Sequence, residues 1–133
     1  MLVMLVFLSL FQPDDEKAVE ALLERVVAFN AALMKRDVET MKEFHTNGRA
    51  RKTRKVSVKW IKINKIKIKD DKAVIYKTSK GRYFFVIKYK QDVELFWVKK
   101  NGKWYFDDEW NSDKYRDVFW YGKEYKIDKL IEK

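Results

Sequence analysis

In the first third of the chain, apolar residues recur at Val19, Leu22, Leu23, Val26, Val27, Phe29, Ala32 and Leu33. This is the i, i+3, i+4, i+7 stripe of an amphipathic helix. Pro13-Asp14-Asp15-Glu16 precedes it and reads as a start. Proline suits the first turn, and the carboxylates suit the positive end of the helix dipole. The spacing predicts a helix from there to about Lys35 or Arg36, with its Leu22–Leu33 ridge in the core. Asp37 then caps a second, short helix over Val38 to Phe44, closed by Asn47-Gly48.

After Gly48 the period changes from 3.6 to 2. Val56, Val58 and Trp60 alternate, then Ile61 and Ile63, then Ile66 and Ile68. The apolar parity slips near Trp60-Ile61 and again near Asn64-Lys65. A strand changes its buried face only through a bulge or a break. One bent strand with bulges, or two short strands, is expected. Asp70-Asp71-Lys72 reads as a turn. Ala73 to Tyr89 reads mostly as strand, with Ser79-Lys80-Gly81 as a bulge or second turn and Lys90-Gln91-Asp92 as another turn.

Val93 to Trp110 is the clearest hairpin. Two aromatic, β-branched runs flank Asn101-Gly102, which suits a two-residue type I′ turn because both central residues need φ > 0. That turn pairs Lys100 with Lys103, Lys99 with Trp104, Val98 with Tyr105 and Trp97 with Phe106. Leu95, Trp97, Trp104, Phe106 and Asp108 then share one face, and Phe96, Val98, Tyr105 and Asp107 the other. The tail from Asn111 to Lys133 is too aromatic for a disordered end. It is expected to pack on the sheet as a short helix or an added strand.

Helix, helix, then strands makes the class α+β: a long N-terminal helix and a short one packed in a curved antiparallel sheet of about four to five strands. The chain divides into an apolar N-terminal segment (1–12), a domain (13–110) and an aromatic, charged extension (111–133). At 133 residues it is long enough for one sizeable core.

The absence of cysteine removes disulfides, thiolate catalysis and cysteine metal sites. With one histidine, a transition-metal site would need carboxylates almost alone, so neither a metal nor a cofactor is expected. The first eleven residues, M-L-V-M-L-V-F-L-S-L-F, form an apolar run interrupted only by Ser9. The run is too short to span a membrane, which takes about 20 residues. It has the length of a signal h-region but lacks a basic n-region and a small-x-small cleavage site. The alternative is an arm packed on the domain. An exported, periplasmic or extracellular location is slightly favoured over the cytoplasm.

Residues 18–44, A-V-E-A-L-L-E-R-V-V-A-F-N-A-A-L-M-K-R-D-V-E-T-M-K-E-F, resemble the opening helices of the NTF2-like superfamily, the cystatin-like α+β cone. L-F-W-V-K-K-N-G-K-W-Y-F-D-D (95–108) is similar to that superfamily's closing hairpin. The likeness is nearest to small lipoprotein-type NTF2-like domains of unknown role, although a lipoprotein would need a cysteine after its signal. The resemblance implies a cone-shaped sheet around the first helix, a small ligand or protein partner, and a homodimer formed through the sheet. The superfamily's enzymes often carry an Asp-rich, Pro-containing segment after the second helix. Here Arg49 to Lys55 stands in that place, so no catalytic residue is carried over.

Residues 49–69 carry ten cations and no acid: Arg49, Arg51, Lys52, Arg54, Lys55, Lys59, Lys62, Lys65, Lys67 and Lys69. They equal the whole net charge of +10. Such a stripe can attract phosphates, anionic lipid or an acidic protein. It can equally be a solvated face whose lysines guard a sheet edge against aggregation. Nucleic acid is the weaker expectation, because no motif or stacking aromatic shares the face. Trp60 matches Val56 and Val58 in parity and is expected to point inward.

A second candidate is an aromatic-lined cone pocket of Trp60, Trp97, Trp104, Tyr105 and Phe106, with Asp107 and Asp108 at its mouth. A buried Asp there could act as the base of an isomerase or cyclase. The alternative is a packed core with acids at the strand end. His45 reads as a residue at the end of the second helix, with no visible partner. The expectation is therefore a non-enzymatic domain that binds a ligand or partner, with the enzyme and the anion-binding surface as alternatives.

Overall fold

The computed structural model describes residues 13–48, 56–84 and 86–132. The apolar segment 1–12 and the cations Arg49, Arg51, Lys52, Arg54 and Lys55 lie outside the described residues.

Helix α1 runs Pro13–Lys35. Arg36 ends it in the left-handed region (φ 58), where the Arg36 and Asp37 amides close the last turn on Leu33 and Ala32 carbonyls. Asp37 caps α2, Val38–Lys42, by accepting hydrogen bonds from the Thr40 amide (3.2 Å) and hydroxyl (2.6 Å). The second helix stops short of Phe44. Beyond it the backbone pairs with another strand: the Phe106 amide donates to the Phe44 carbonyl, and the Thr46 amide to the Phe106 carbonyl.

The strands are β1 (Val56–Lys69), β2 (Lys72–Tyr83), β3 (Ile87–Lys100), β4 (Lys103–Phe106) and β5 (Lys123–Glu132). They form one antiparallel curved sheet in the order β4-β3-β2-β1-β5. β1 is a single strand whose register shifts between Val58 and Trp60, just ahead of the parity slip near Trp60-Ile61, and between Ile63 and Lys65, beside the slip near Asn64-Lys65. Asn101 (φ 52) and Gly102 (φ 78) form the β3–β4 turn, and the four expected cross-strand pairs are present.

Two expected turns are absent. β2 runs on through Ser79-Lys80-Gly81, and β3 runs through Lys90-Gln91-Asp92, because the two strands pair without interruption from Lys72–Val98 to Tyr83–Ile87. β2 ends at Tyr83 and β3 begins at Ile87, and Phe84 just past the end of β2 has φ 52. An aromatic residue in that region costs roughly 1–2 kcal/mol. Gly81 answers a different need. A Cβ there would lie 2.1 Å from the Ser57 carbonyl oxygen on β1.

α1 lies on the inner face of the sheet. Leu22, Val26 and Phe29 pack with Ile61, Ile63, Ile66, Ile75, Trp97 and Trp104 in the main core. Each such side chain fully buried contributes about 1.5–3 kcal/mol. The chain then leaves β4, crosses the outer face through the short helix α3 (Arg116–Tyr121), and joins the opposite edge as β5. This crossing makes a second small core of Val74, Phe96, Tyr115 and Val118. The extension therefore supplies both elements considered for it, and both sheet faces are covered in part.

Candidate ligand-binding site

The inner face is not filled completely. Between the end of α1, α2 and the strands lies a cavity of about 200 Å³. Leu33, Val38 and Met41 form its helical wall, and Val56, Val58 and Ile61 its β1 wall. Arg36, Ser79, Tyr83, Tyr89, Gln91 and Lys77 also line it, and among the described residues the lining contains no carboxylate. The Tyr83 and Tyr89 rings lie 4.7 Å apart, and burial pushes the Tyr89 hydroxyl above its ordinary pKa.

Lys77 is the residue that gives this cavity chemistry. Strand alternation puts Ala73, Ile75 and Lys77 on the inner face, and the ladder sets Lys77 between Ile63 on β1 and Val93 on β3. It is 6% exposed. Its ammonium donates to Asn30 Oδ1 at 2.7 Å. Asn30 is fully buried and donates in turn to the Val26 carbonyl at 2.8 Å. Burial lowers the Lys77 pKa to about 8, because the charged form loses its hydration and gains only a neutral partner. An ammonium carries three donors, and Asn30 accepts one.

The expected aromatic pocket is distributed otherwise. Trp97 and Trp104 are sealed in the inner core. Trp97 meets Phe29 edge-on at 5.6 Å, and Phe106 stacks on Phe29 at 5.7 Å. Tyr105 is half-buried beneath the Arg25 guanidinium, 5.3 Å from its ring centre. Trp60 does not point inward with Val58. The register shift at Lys59 reverses its parity, and Trp60 lies opposite Lys80 on the outer face while Ile61 takes the core position.

Asp107 and Asp108 are structural ties. Asp107 accepts from Tyr115 Oη (2.8 Å), the Glu109 amide (2.9 Å) and Lys114 Nζ (2.6 Å). Burial opposes its ionisation, but these donors outweigh burial and hold the carboxyl below its ordinary pKa. Burial and the adjacent Asp107 push the Tyr115 hydroxyl well above its usual range. Asp108 meets His45 Nδ1 at 2.7 Å and also accepts from the Thr46 hydroxyl and the Asn47 amide. His45 packs edge-on to Phe29 and Phe106. None of the seven expected pocket residues lines the Lys77 cavity.

The described part of the basic block divides in two. Lys62 pairs with Asp128 (3.2 Å), Lys65 with Glu124 (3.4 Å) and Lys69 with Asp70 (3.5 Å), while Lys67 donates to the Phe119 carbonyl (2.7 Å). β5 and α3 thus satisfy the lower half of the β1 stripe. A wider outer groove of about 830 Å³ lies there, crossed by the Lys62–Asp128 and Lys65–Glu124 pairs. Lys59, in the upper half, has no carboxylate within 4 Å among the described residues.

Sequence reasoning passed over Lys77. The available signal was the period-2 reading of Ala73, Ile75 and Lys77. It missed the His45–Asp108 pair because 63 positions separate them. Among the described residues, no group of three or more His, Asp or Glu could hold a metal ion, and no helix is long and apolar enough to cross a membrane. No protein-family model, curated protein or solved structure matches this chain.

Proposed function

We infer that the chain is a non-enzymatic binding domain of the NTF2-like kind. It takes a small, mostly apolar molecule with one acidic group into the inner cavity. The observation that carries this reading is Lys77, a buried ammonium lining an otherwise largely apolar hollow with one neutral hydrogen-bond partner. An incoming carboxylate would satisfy its remaining donors with charge-assisted hydrogen bonds. The hollow is smaller than the usual range for drug-sized ligands, about 300–1,000 Å³, so a compact acid fits and a large cofactor does not. The lack of a carboxylate in the lining favours binding over an isomerase, which would need a base there.

Thermal-shift and calorimetric titration with benzoate and hexanoate, against benzyl alcohol and hexanol, tests this. The acids should bind more tightly than their neutral counterparts. That preference should vanish in Lys77→Met and should fade above pH 8 as the amine loses its proton. Equal binding of acid and alcohol to the unaltered protein would remove the assigned role of Lys77.

A further inference from the structure

The turn between β2 and β3 is built in an unexpected way. It holds no glycine, proline, asparagine or aspartate, although those residues make tight turns at least cost. Instead it presents Phe84, Val86 and Ile87 to solvent, 55%, 78% and 59% exposed. Apolar residues at a protruding tip gain nothing from water.

Behind the tip stands a collar of cations on the outer face. Arg82 lies directly across the ladder from Lys88, and Lys80 directly across from Lys90. Like charges placed opposite each other destabilise a sheet, yet the arrangement is repeated on successive outward pairs. Lys59 on β1 adds a fifth charge. A groove of about 420 Å³ runs among Lys59, Lys80, Arg82 and Lys88. Among the described residues, no carboxylate lies within 4 Å of any of the five cations. From Lys72 to Gln91 the sequence contains no acid. The nearest acidic ladder positions are Asp92, the next outward position after Lys90 on β3, which accepts from the Thr78 hydroxyl, and Glu132, opposite Trp60 on β1.

We propose that this end of the sheet docks on an anionic lipid bilayer, with Phe84, Val86 and Ile87 entering the interface and the collar holding lipid phosphates. The spacing fits. Phe84 lies two residues past Arg82, about 7 Å at the strand rise of roughly 3.3 Å per residue. Interfacial elements bury their apolar faces about 5–10 Å deep, so the collar would sit at headgroup level. Trp60, half-buried opposite Lys80 on the same face, belongs to a residue type favoured at that depth. A nucleic acid would use the collar but would leave Val86 and Ile87 without a partner, so a bilayer accounts for both halves of the surface. The site shares no residue with the proposed contact at Lys77.

The absence of cysteine allows a clean test on the full chain. Val86→Cys and, on β4 just past the opposite end of β3, Lys103→Cys each receive an environment-sensitive fluorophore. Vesicles of phosphatidylcholine alone are compared with vesicles that also contain phosphatidylserine, whose negative surface attracts polybasic segments. The Val86 probe should shift to the blue on anionic vesicles and stay unshifted on neutral ones, while the Lys103 probe stays unshifted on both. Arg82→Ser with Lys88→Ser should weaken sedimentation with anionic vesicles about 25-fold, from about fivefold per cation. Val86→Asp with Ile87→Asp should abolish the tip-dependent binding, and thermal melts should stay unchanged because these side chains are exposed.

Three results would each overturn the proposal. One is vesicle-bound protein whose Val86 probe remains in water, which would assign anchoring to another segment, such as the apolar residues 1–11. Another is unaltered affinity in the collar variant. The last is salt-sensitive retention on DNA or heparin without any vesicle binding.

Discussion

Lys77 Nζ on β2 donates to Asn30 Oδ1 on α1 at 2.7 Å, across the interior of the fold. The bond joins the third-longest strand to the C-terminal half of the long helix and leaves a charge in the core that no carboxylate pairs with among the described residues. Its pH consequence can be worked out in sign. The folded-state pKa is about 8, below the ordinary 10.5. Between these values the unfolded chain holds more protons, so stability rises with pH across that window. The penalty is fully present below pH 8 and is relieved toward pH 10.5, by roughly 3 kcal/mol in all at about 1.4 kcal/mol per pKa unit. Urea unfolding of the protein and of Lys77→Met from pH 7.5 to 10 should show this rise in the first and not in the second. Tyrosine ionisation is common to both and drops out of the difference. Parallel curves would place the lowered pKa elsewhere.

Asp107 fastens the outer layer. Replacing it by alanine strands the Tyr115 hydroxyl and the Lys114 ammonium together. Losing one partner of a buried charged pair costs about 3–5 kcal/mol. Hydrogen exchange should show protection of α3 falling at least as much as that of the inner strands. The carboxyl is held below its ordinary pKa. Its contribution is therefore present above the unfolded value of about 3.9 and is lost as the pH falls through the lower folded value.

Asp108 gathers three donors from the segment after α2. Asp108→Ala should cost about 2–3 kcal/mol, most of it from leaving the half-buried His45 Nδ1 and its neighbours unpaired. His45→Ala, Asp108→Ala and the double variant form a cycle whose coupling should be about 1–2 kcal/mol. Additive losses would mean that the two side chains touch without stabilising each other.

Two glycines should respond differently to alanine. Gly102 has φ 78 and open space where a Cβ would go, so Gly102→Ala meets only backbone strain, about 1–2 kcal/mol. Gly81→Ala would drive a methyl against the Ser57 carbonyl oxygen, forcing β1 and β2 apart. That change should cost about 3 kcal/mol or more, beyond ordinary overpacking. Melting temperatures of the two variants decide the order. A milder Gly81→Ala would mean that β1 can shift at its start.

Much of the fold was legible from local rules. The 3.6-residue stripe located α1, Asp37 marked the start of α2, and Asn101-Gly102 set the register of the last hairpin. The parity slips at Trp60-Ile61 and Asn64-Lys65 located both bulges in β1. The β2–β3 turn was misread, because turn-forming residues sit at Ser79–Gly81 and Lys90–Asp92 while the turn itself is apolar. Ladder hydrogen bonds along the whole of β2 and β3 outweighed those local preferences. Trp60 was misplaced because its direction depends on which side of a bulge it falls.

By itself the sequence determined the elements and which residues share a face, since periodicity and turn chemistry act between near neighbours in the chain. Tertiary structure decided which cation lost its water. The β1 lysines and Lys77 occupy similar alternating patterns. β5 and α3 bring carboxylates or a carbonyl to Lys62, Lys65 and Lys67, whereas α1 brings Asn30 over Lys77. It also decided that Asp107 and Asp108 became ties, because Tyr115 and His45 reach them only when distant segments pack together. Desolvation and pairing depend on what covers a residue, and that covering comes from parts of the chain far away in sequence.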